Sequence, residues 1–116
     1  MMRILTLTLV LLVACKFSGE AERIRASKTA ETWHKARRYS WEAYPSWATD
    51  HRDKACPQAL SDLSAYTDYN DTNDSWGRPL RMFCGSTLPP GSKGFAVLSL
   101  GADGKEGTAD DIKSWE

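Results

Sequence analysis

Residues 97–116, VLSLGADGKEGTADDIKSWE, constrain this chain more than any other stretch. A short apolar run from Ala96 to Leu100 feeds a loop containing Gly101, Gly104 and Gly107 together with Asp103, Asp110 and Asp111. Glycine turns the backbone through φ > 0 at no steric cost, and aspartates are hard oxygen donors of the kind calcium takes. The expectation is a structural loop stabilised by Ca²⁺, not an active site. On composition alone, the alternative is an acidic, solvated turn without metal.

The other end of the chain reads as a processing signal. Met1, Met2 and Arg3 form a short basic start, residues 4–13 are an apolar run, and Leu12-Val13-Ala14-Cys15 resembles the bacterial lipobox. The run is about half of the ~20 residues that a helix needs to cross a bilayer. The expected organisation is a lipoprotein signal peptide over 1–14, a lipidated Cys15 with a tether over 15–25, and one domain over 26–116. Several acyl chains anchor firmly where one alone is marginal. An ordinary secretory signal that happens to end in Cys is the alternative. In a Gram-negative host, Lys16 after the lipidated residue favours the outer membrane. With Cys15 taken by lipid, Cys56 and Cys84 remain as an even pair in an oxidising compartment. A bridge between them closes a loop of about 29 residues and contributes roughly 3–4 kcal/mol in the chain-entropy model. Two free buried thiols are the other possibility.

At 116 residues and zero net charge, the chain has room for one small domain, and nothing predicts nucleic-acid binding. Five Trp suggest a thin core filled by a few large side chains. Residues 20–44 lack Gly and Pro and predict a helix with an apolar stripe of Ala26, Ala30, Trp33, Trp41 and Tyr44, interrupted by Arg37. Pro45 is expected to end or kink it. The cationic run Lys35 to Arg38 reads as a solvated face. A second, shorter helix is expected over 57–66, where Leu60, Leu63 and Tyr66 share a face. Residues 67–75 are loop, residues 80–84 and 95–100 are strands, and residues 112–115 are a short third. The fold class is α+β, with helices packed on a small antiparallel sheet.

Two separated motifs then acquire a shared meaning. Asp74-Ser75-Trp76-Gly77-Arg78-Pro79, followed by Ser99-Leu100-Gly101-Ala102-Asp103-Gly104, then Gly107-Thr108-Ala109-Asp110-Asp111-Ile112 and Trp115, resembles the C-terminal domain of the major pseudopilin (GspG) family of type II secretion systems. The likeness covers about residues 56–116. It implies a long N-terminal helix on a small antiparallel sheet, with one calcium ion in the loop after the sheet. Asp103, Asp110 and Asp111 are implied as side-chain ligands, and Leu100 as a backbone carbonyl ligand. The EF-hand spacing is missing, so the loop is of another kind. The family's leader, a Gly followed by Phe-Thr-x-x-Glu and about twenty apolar residues, does not occur here. The resemblance therefore implies a pseudopilin-like domain carried on a lipid anchor.

Catalytic patterns are not found. His34 and His51 stand outside any recognisable constellation, and no G-x-S-x-G elbow, H-E-x-x-H or phosphate-cradling glycine loop occurs. The expected function is a non-catalytic envelope lipoprotein that works through its surface, with envelope or secretion-system proteins as partners and no small-molecule substrate. The alternatives are a periplasmic or surface binding module on the same scaffold, or a divergent pseudopilin with a misassigned start.

Overall fold

A computed structural model describes residues 2–116, with side chains from residue 19 onward. Only Gly19 punctuates residues 2–44, so nothing local stops a helix, and α1 runs unbroken over Met2–Arg37. The residues expected as a tether, 15–25, lie within it. Among the described residues, no helix is long and apolar enough to cross a membrane.

Pro45 does not end the helical stretch. A π-helical turn, Arg38–Ala43, precedes it, and α2 then covers Tyr44–Asp50. Tyr44 N–H reaches back five residues to the Tyr39 carbonyl, which widens the turn just before the proline. Pro45 therefore sits in the first turn of a new segment, where its missing N–H costs least.

The expected apolar stripe is corrected. Thr32, Ala36, Tyr39, Ser40, Ala43 and Trp47 form the buried face, whereas Ala26, Ala30 and Trp41 are exposed and Trp33 and Tyr44 only half-buried. A face centred on Arg37 would have buried a charge. Instead the Arg37 guanidinium lies 4.2 Å from the Trp33 ring centre and 3.6 Å from that of Trp41, forming a cation–π ladder on the outer surface. Of the five Trp, only Trp47 is buried. Tyr39, Phe95, Leu63 and Val97 fill the centre.

Leu60–Tyr66 is a 3₁₀ helix, beginning three residues later than the expected second helix. The reason is in its spacing: side chains three apart eclipse at three residues per turn, which stacks Leu60 and Leu63 into the core. The Asp62 carboxylate accepts from the N–H groups of Gln58 and Ala59, each at 3.1 Å, and so closes its start.

Three antiparallel strands follow in the order β1 (Arg81–Cys84), β2 (Phe95–Ser99), β3 (Ile112–Lys113). Val97 pairs with Met82, Phe95 with Cys84, and Ser99 with Ile112. Phe95, Val97, Leu80 and Met82 pack against Ala36, Tyr39 and Ala43 of the helical layer, so the architecture is α+β, as the resemblance implied. Hydroxyls stitch the two layers. Ser40 Oγ donates to the Phe95 carbonyl. Tyr39 Oη donates to the Asp71 carbonyl at 2.9 Å, which leaves Ser64 Oγ as donor to Tyr39 at 3.1 Å. Cys56 and Cys84 form a disulfide with Cα atoms 5.9 Å apart, tying the connection before the 3₁₀ helix to β1.

Candidate metal centre

The acidic loop is tied to the turn led by Asp74. Asp74 is buried, and its Oδ1 accepts from the N–H groups of Trp76 (2.9 Å) and Arg78 (3.0 Å). Its Oδ2 accepts from Ser99 Oγ at 2.8 Å, and Ser99 Oγ in turn accepts from Gly101 N–H at 3.0 Å. A carboxylate at the start of one turn thus fixes the first residue of the next, across 27 positions of sequence from Asp74 to Gly101. That relay explains why an Asp leads the Trp-Gly-Arg-Pro segment: an Asx side chain caps its own turn. Both residues stand in the two motifs quoted above, but nothing in their spacing pairs Asp74 with Ser99.

Close approach then fixes two glycines. At Gly101 (φ +70°), a Cβ would stand 2.0 Å from the Asp110 carbonyl oxygen. At Gly104 (φ +65°), a Cβ would meet the Arg78 guanidinium carbon at 2.6 Å. Arg78 needs that space because its Nη1 donates to the Gly101 carbonyl at 2.6 Å. Two more arginines stand around the loop. Arg81 from β1 reaches Glu106 at 3.0 Å, and Arg25 from α1 reaches Asp110 Oδ1 at 2.7 Å.

Within the loop, the implied ligands largely bind backbone N–H groups. Asp103 is exposed, and its Oδ1 accepts from Lys105 N–H at 3.0 Å. That bond, followed by the Thr108 hydroxyl, holds the carboxyl below the usual carboxylate range. Asp110 Oδ2 accepts from Asp103 N–H at 3.1 Å, and Asp111 Oδ2 from Gly107 N–H at 2.8 Å. One oxygen is left over: Asp111 Oδ1 is buried and has no hydrogen-bond partner. Leu100 is half-buried between β2 and the first loop turn.

These residues supply oxygen donors of the kind calcium takes, and one buried carboxylate oxygen among them lacks a hydrogen-bond partner. They are not drawn together into a cage: among the described residues no group of three or more His, Cys, Asp or Glu gathers as a metal site. An ion held by all three aspartates requires Asp110 and Asp103 to exchange some present contacts.

The remaining expected residues are placed as follows. Cys15 lies in α1, and its side chain is outside the described residues. His34 is exposed with its ring edge-on to Trp33, at 5.2 Å between centres. His51 stacks on Trp47 at 4.7 Å, and its Nδ1 lies 2.8 Å from the Trp47 carbonyl, which makes Nδ1 the protonated nitrogen. Trp76 and Trp115 are half-buried.

No family model matches the chain, and no solved structure matches it. A curated relative is the type II secretion system core protein G of Pseudomonas aeruginosa, 49% identical over 47 residues. The match covers 37% of this chain and 30% of that protein. The likeness is partial. It supports a pseudopilin-like relationship, in agreement with the resemblance carried by the Asp74 and Gly101 motifs.

Proposed function

We propose that this chain is a non-catalytic envelope lipoprotein whose calcium-stabilised, pseudopilin-like domain serves as a structural or accessory component of type II secretion or a related pilus-like machine. The relationship rests on the 47-residue similarity to a type II secretion core protein. The metal rests on Asp111 Oδ1, a buried carboxylate oxygen without a partner. A divalent cation supplies the missing counter-charge, and the Leu100 carbonyl, Asp103, Asp110 and Asp111 are the groups that hold it. The work is done by the surface, a reading that rests on the similarity to a structural secretion protein.

Asp111→Asn tests the metal cleanly, because the amide oxygen can still accept from Gly107 N–H while the charge is gone. Wild-type protein should gain about 2.7 kcal/mol of stability at a hundredfold excess of calcium over Kd. The variant should melt like wild type in EGTA and gain little from calcium. Equal calcium gains in both would remove Asp111 from the site. For the anchor, palmitate labelling should vanish in Cys15→Ser; persistent label would sink the lipoprotein reading.

A second reading is favoured by one observation. The helix continues through the expected cleavage point and tether, which suits a divergent pseudopilin that keeps its N-terminal helix. The mass of the mature protein from its host separates the two, because removal of residues 1–14 and addition of acyl chains belong to the lipoprotein alone.

A further inference from the structure

Among the described residues, the Arg37 guanidinium has no hydrogen-bond or ion-pair partner. It stands instead between the rings of Trp33, at 4.2 Å, and Trp41, at 3.6 Å. The three residues are spaced four apart, so they stack along the solvent side of the helical layer. The neighbouring Arg38, by contrast, is engaged by Glu42 at 3.8 Å and Asp68 at 3.4 Å. Trp41 is 57% exposed, and among the described residues only Ile24 is a large apolar side chain of comparable exposure. The ladder lines a recess of about 400 Å³. Through Trp33 that recess adjoins a groove of about 570 Å³ between Ala26 and Ala30 of α1 and Ile112 of β3.

We propose that the Trp33–Arg37–Trp41 ladder is the docking point for an acidic segment of a protein partner, with a partner carboxylate accepting from the N–H groups of Arg37. This inference depends on neither the metal nor the lipid anchor. Three observations carry it. First, with an indole ring on either side and no carboxylate of its own, the guanidinium keeps its donors for a partner. That fork of donors matches a carboxylate in shape as well as charge. Second, stacking fixes a long side chain before anything binds, so less rotamer freedom is lost on docking. Third, Trp and Arg dominate the binding energy of protein interfaces, and here they stand together beside an apolar groove. Charge then selects the partner. Arg37 and Arg38 against a single Glu42 leave the recess cationic, so a symmetric contact with a second copy would set Arg37 against Arg37. A helix that lies on a membrane needs a continuous apolar face to bury. The stretch of α1 leading to the ladder exposes Glu20, Glu22 and Glu31 instead. An acidic protein segment meets neither obstacle.

The test puts the photo-crosslinking residue p-benzoylphenylalanine in place of His34, which is exposed and lines the recess without belonging to the ladder. The full chain is irradiated in its host, and the adduct and its cross-linked peptide are identified by mass spectrometry. A protein adduct joined through a segment rich in Asp or Glu is expected. Arg37→Glu in the same background should lower the yield about tenfold or more, the loss expected of a hot-spot side chain. Its melting temperature should match that of the parent, because the ladder lies outside the core. Trp41→Ala, which keeps the charge but removes one ring, should lower the yield as well. Changing the partner's acidic residue to Lys should restore the adduct with Arg37→Glu and weaken it with Arg37. A phospholipid adduct, a dimer of this chain, a captured segment without acidic residues, a yield unchanged in Arg37→Glu, or no adduct would each overturn the proposal. None of these outcomes bears on the calcium reading, which the Asp111 variant tests separately.

Discussion

The helix–sheet layer and the C-terminal loop hold themselves together by opposite means. Between α1, α2 and the strands, ordering comes from burial: Tyr39, Leu63, Phe95 and Val97 exclude water almost completely, and a few hydroxyls satisfy the polar atoms left inside. Around residues 101–111 there is almost no apolar surface to bury. That segment is closed by carboxylates on backbone N–H groups, by arginines from α1, β1 and the Asp74 turn, and by glycines that let these groups approach. The difference teaches where each region is vulnerable. Burial is indifferent to ions, whereas a closure built on charge responds to metal, salt and pH.

The sharpest way to break the comparison is a core truncation. Phe95→Ala removes a buried ring stacked on Tyr44 at 4.8 Å and should cost about 3–5 kcal/mol. Urea unfolding should give the same loss in EGTA and in calcium. A calcium-dependent loss would mean that the loop and the core are one unit.

Cleaving the covalent staple comes next. Reduction, or Cys56→Ser with Cys84→Ser, should cost roughly 3–4 kcal/mol by the entropy of a loop of about 29 residues, again independent of calcium. Alkylation of both thiols in unreduced mature protein would show that the bridge seen here does not form in the host.

Asp74→Ala strikes the seam between the two regions. It strands the N–H groups of Trp76 and Arg78 and frees Ser99 Oγ from its partner. A cost of about 2–3 kcal/mol is expected, the desolvation penalty of buried groups left unpaired. Here the loss should differ from that of the core variant, because Gly101 loses its anchored position and calcium affinity should fall as well. Unchanged affinity, read by titration of the purified variant, would show that the Ser99 relay does not set the loop.

Much of this was legible in residue patterns, and the failures share a cause. The strands, the disulfide pair and the glycine-rich loop each carry a local signature, and each lies where expected. Period three in Leu60, Leu63 and Tyr66 was read as a helical face, but three is the repeat of a 3₁₀ turn. The stripe through Trp33 and Trp41 follows helical spacing, but spacing does not say which side of the helix meets the sheet. The sheet instead approaches the helical layer over Thr32 and Ala36 of α1 and Ala43 of the π-helical turn, where short side chains leave room for Phe95 and Val97. Pro45 was read alone, without the wide turn that precedes it. In the loop, the aspartates raise the expectation of an ion, whereas the contacts the structure shows them making include Arg25, and no spacing rule reports partners 85 residues apart, as Arg25 and Asp110 are, or 25 apart, as Asp74 and Ser99 are.

The smallest predicted effect probes a charged contact outside the loop, and its sign can be worked out. Lys35 Nζ lies 2.6 Å from Asp71 Oδ1, and that bond, followed by the Asn73 N–H, holds the Asp71 carboxyl below its ordinary 3.8. A depressed folded-state value means that the unfolded chain takes up the proton first as acid is added. The contribution is therefore full above the unfolded value and is lost as pH falls through the lower folded one. Asp71 is mostly exposed, so the pair should be worth less than about 1 kcal/mol. Lys35→Met keeps the apolar stem near the Tyr69 ring, whose centre lies 5.0 Å from Nζ, while deleting the charge. Urea midpoints should then show a small deficit from about pH 5 to 8 that shrinks below about pH 4, as the pH falls through the depressed folded-state value of the wild type. A deficit that stayed constant on acidification would assign the stabilisation to packing of the lysine side chain, and would place this contact with the core region rather than with the charge-closed one.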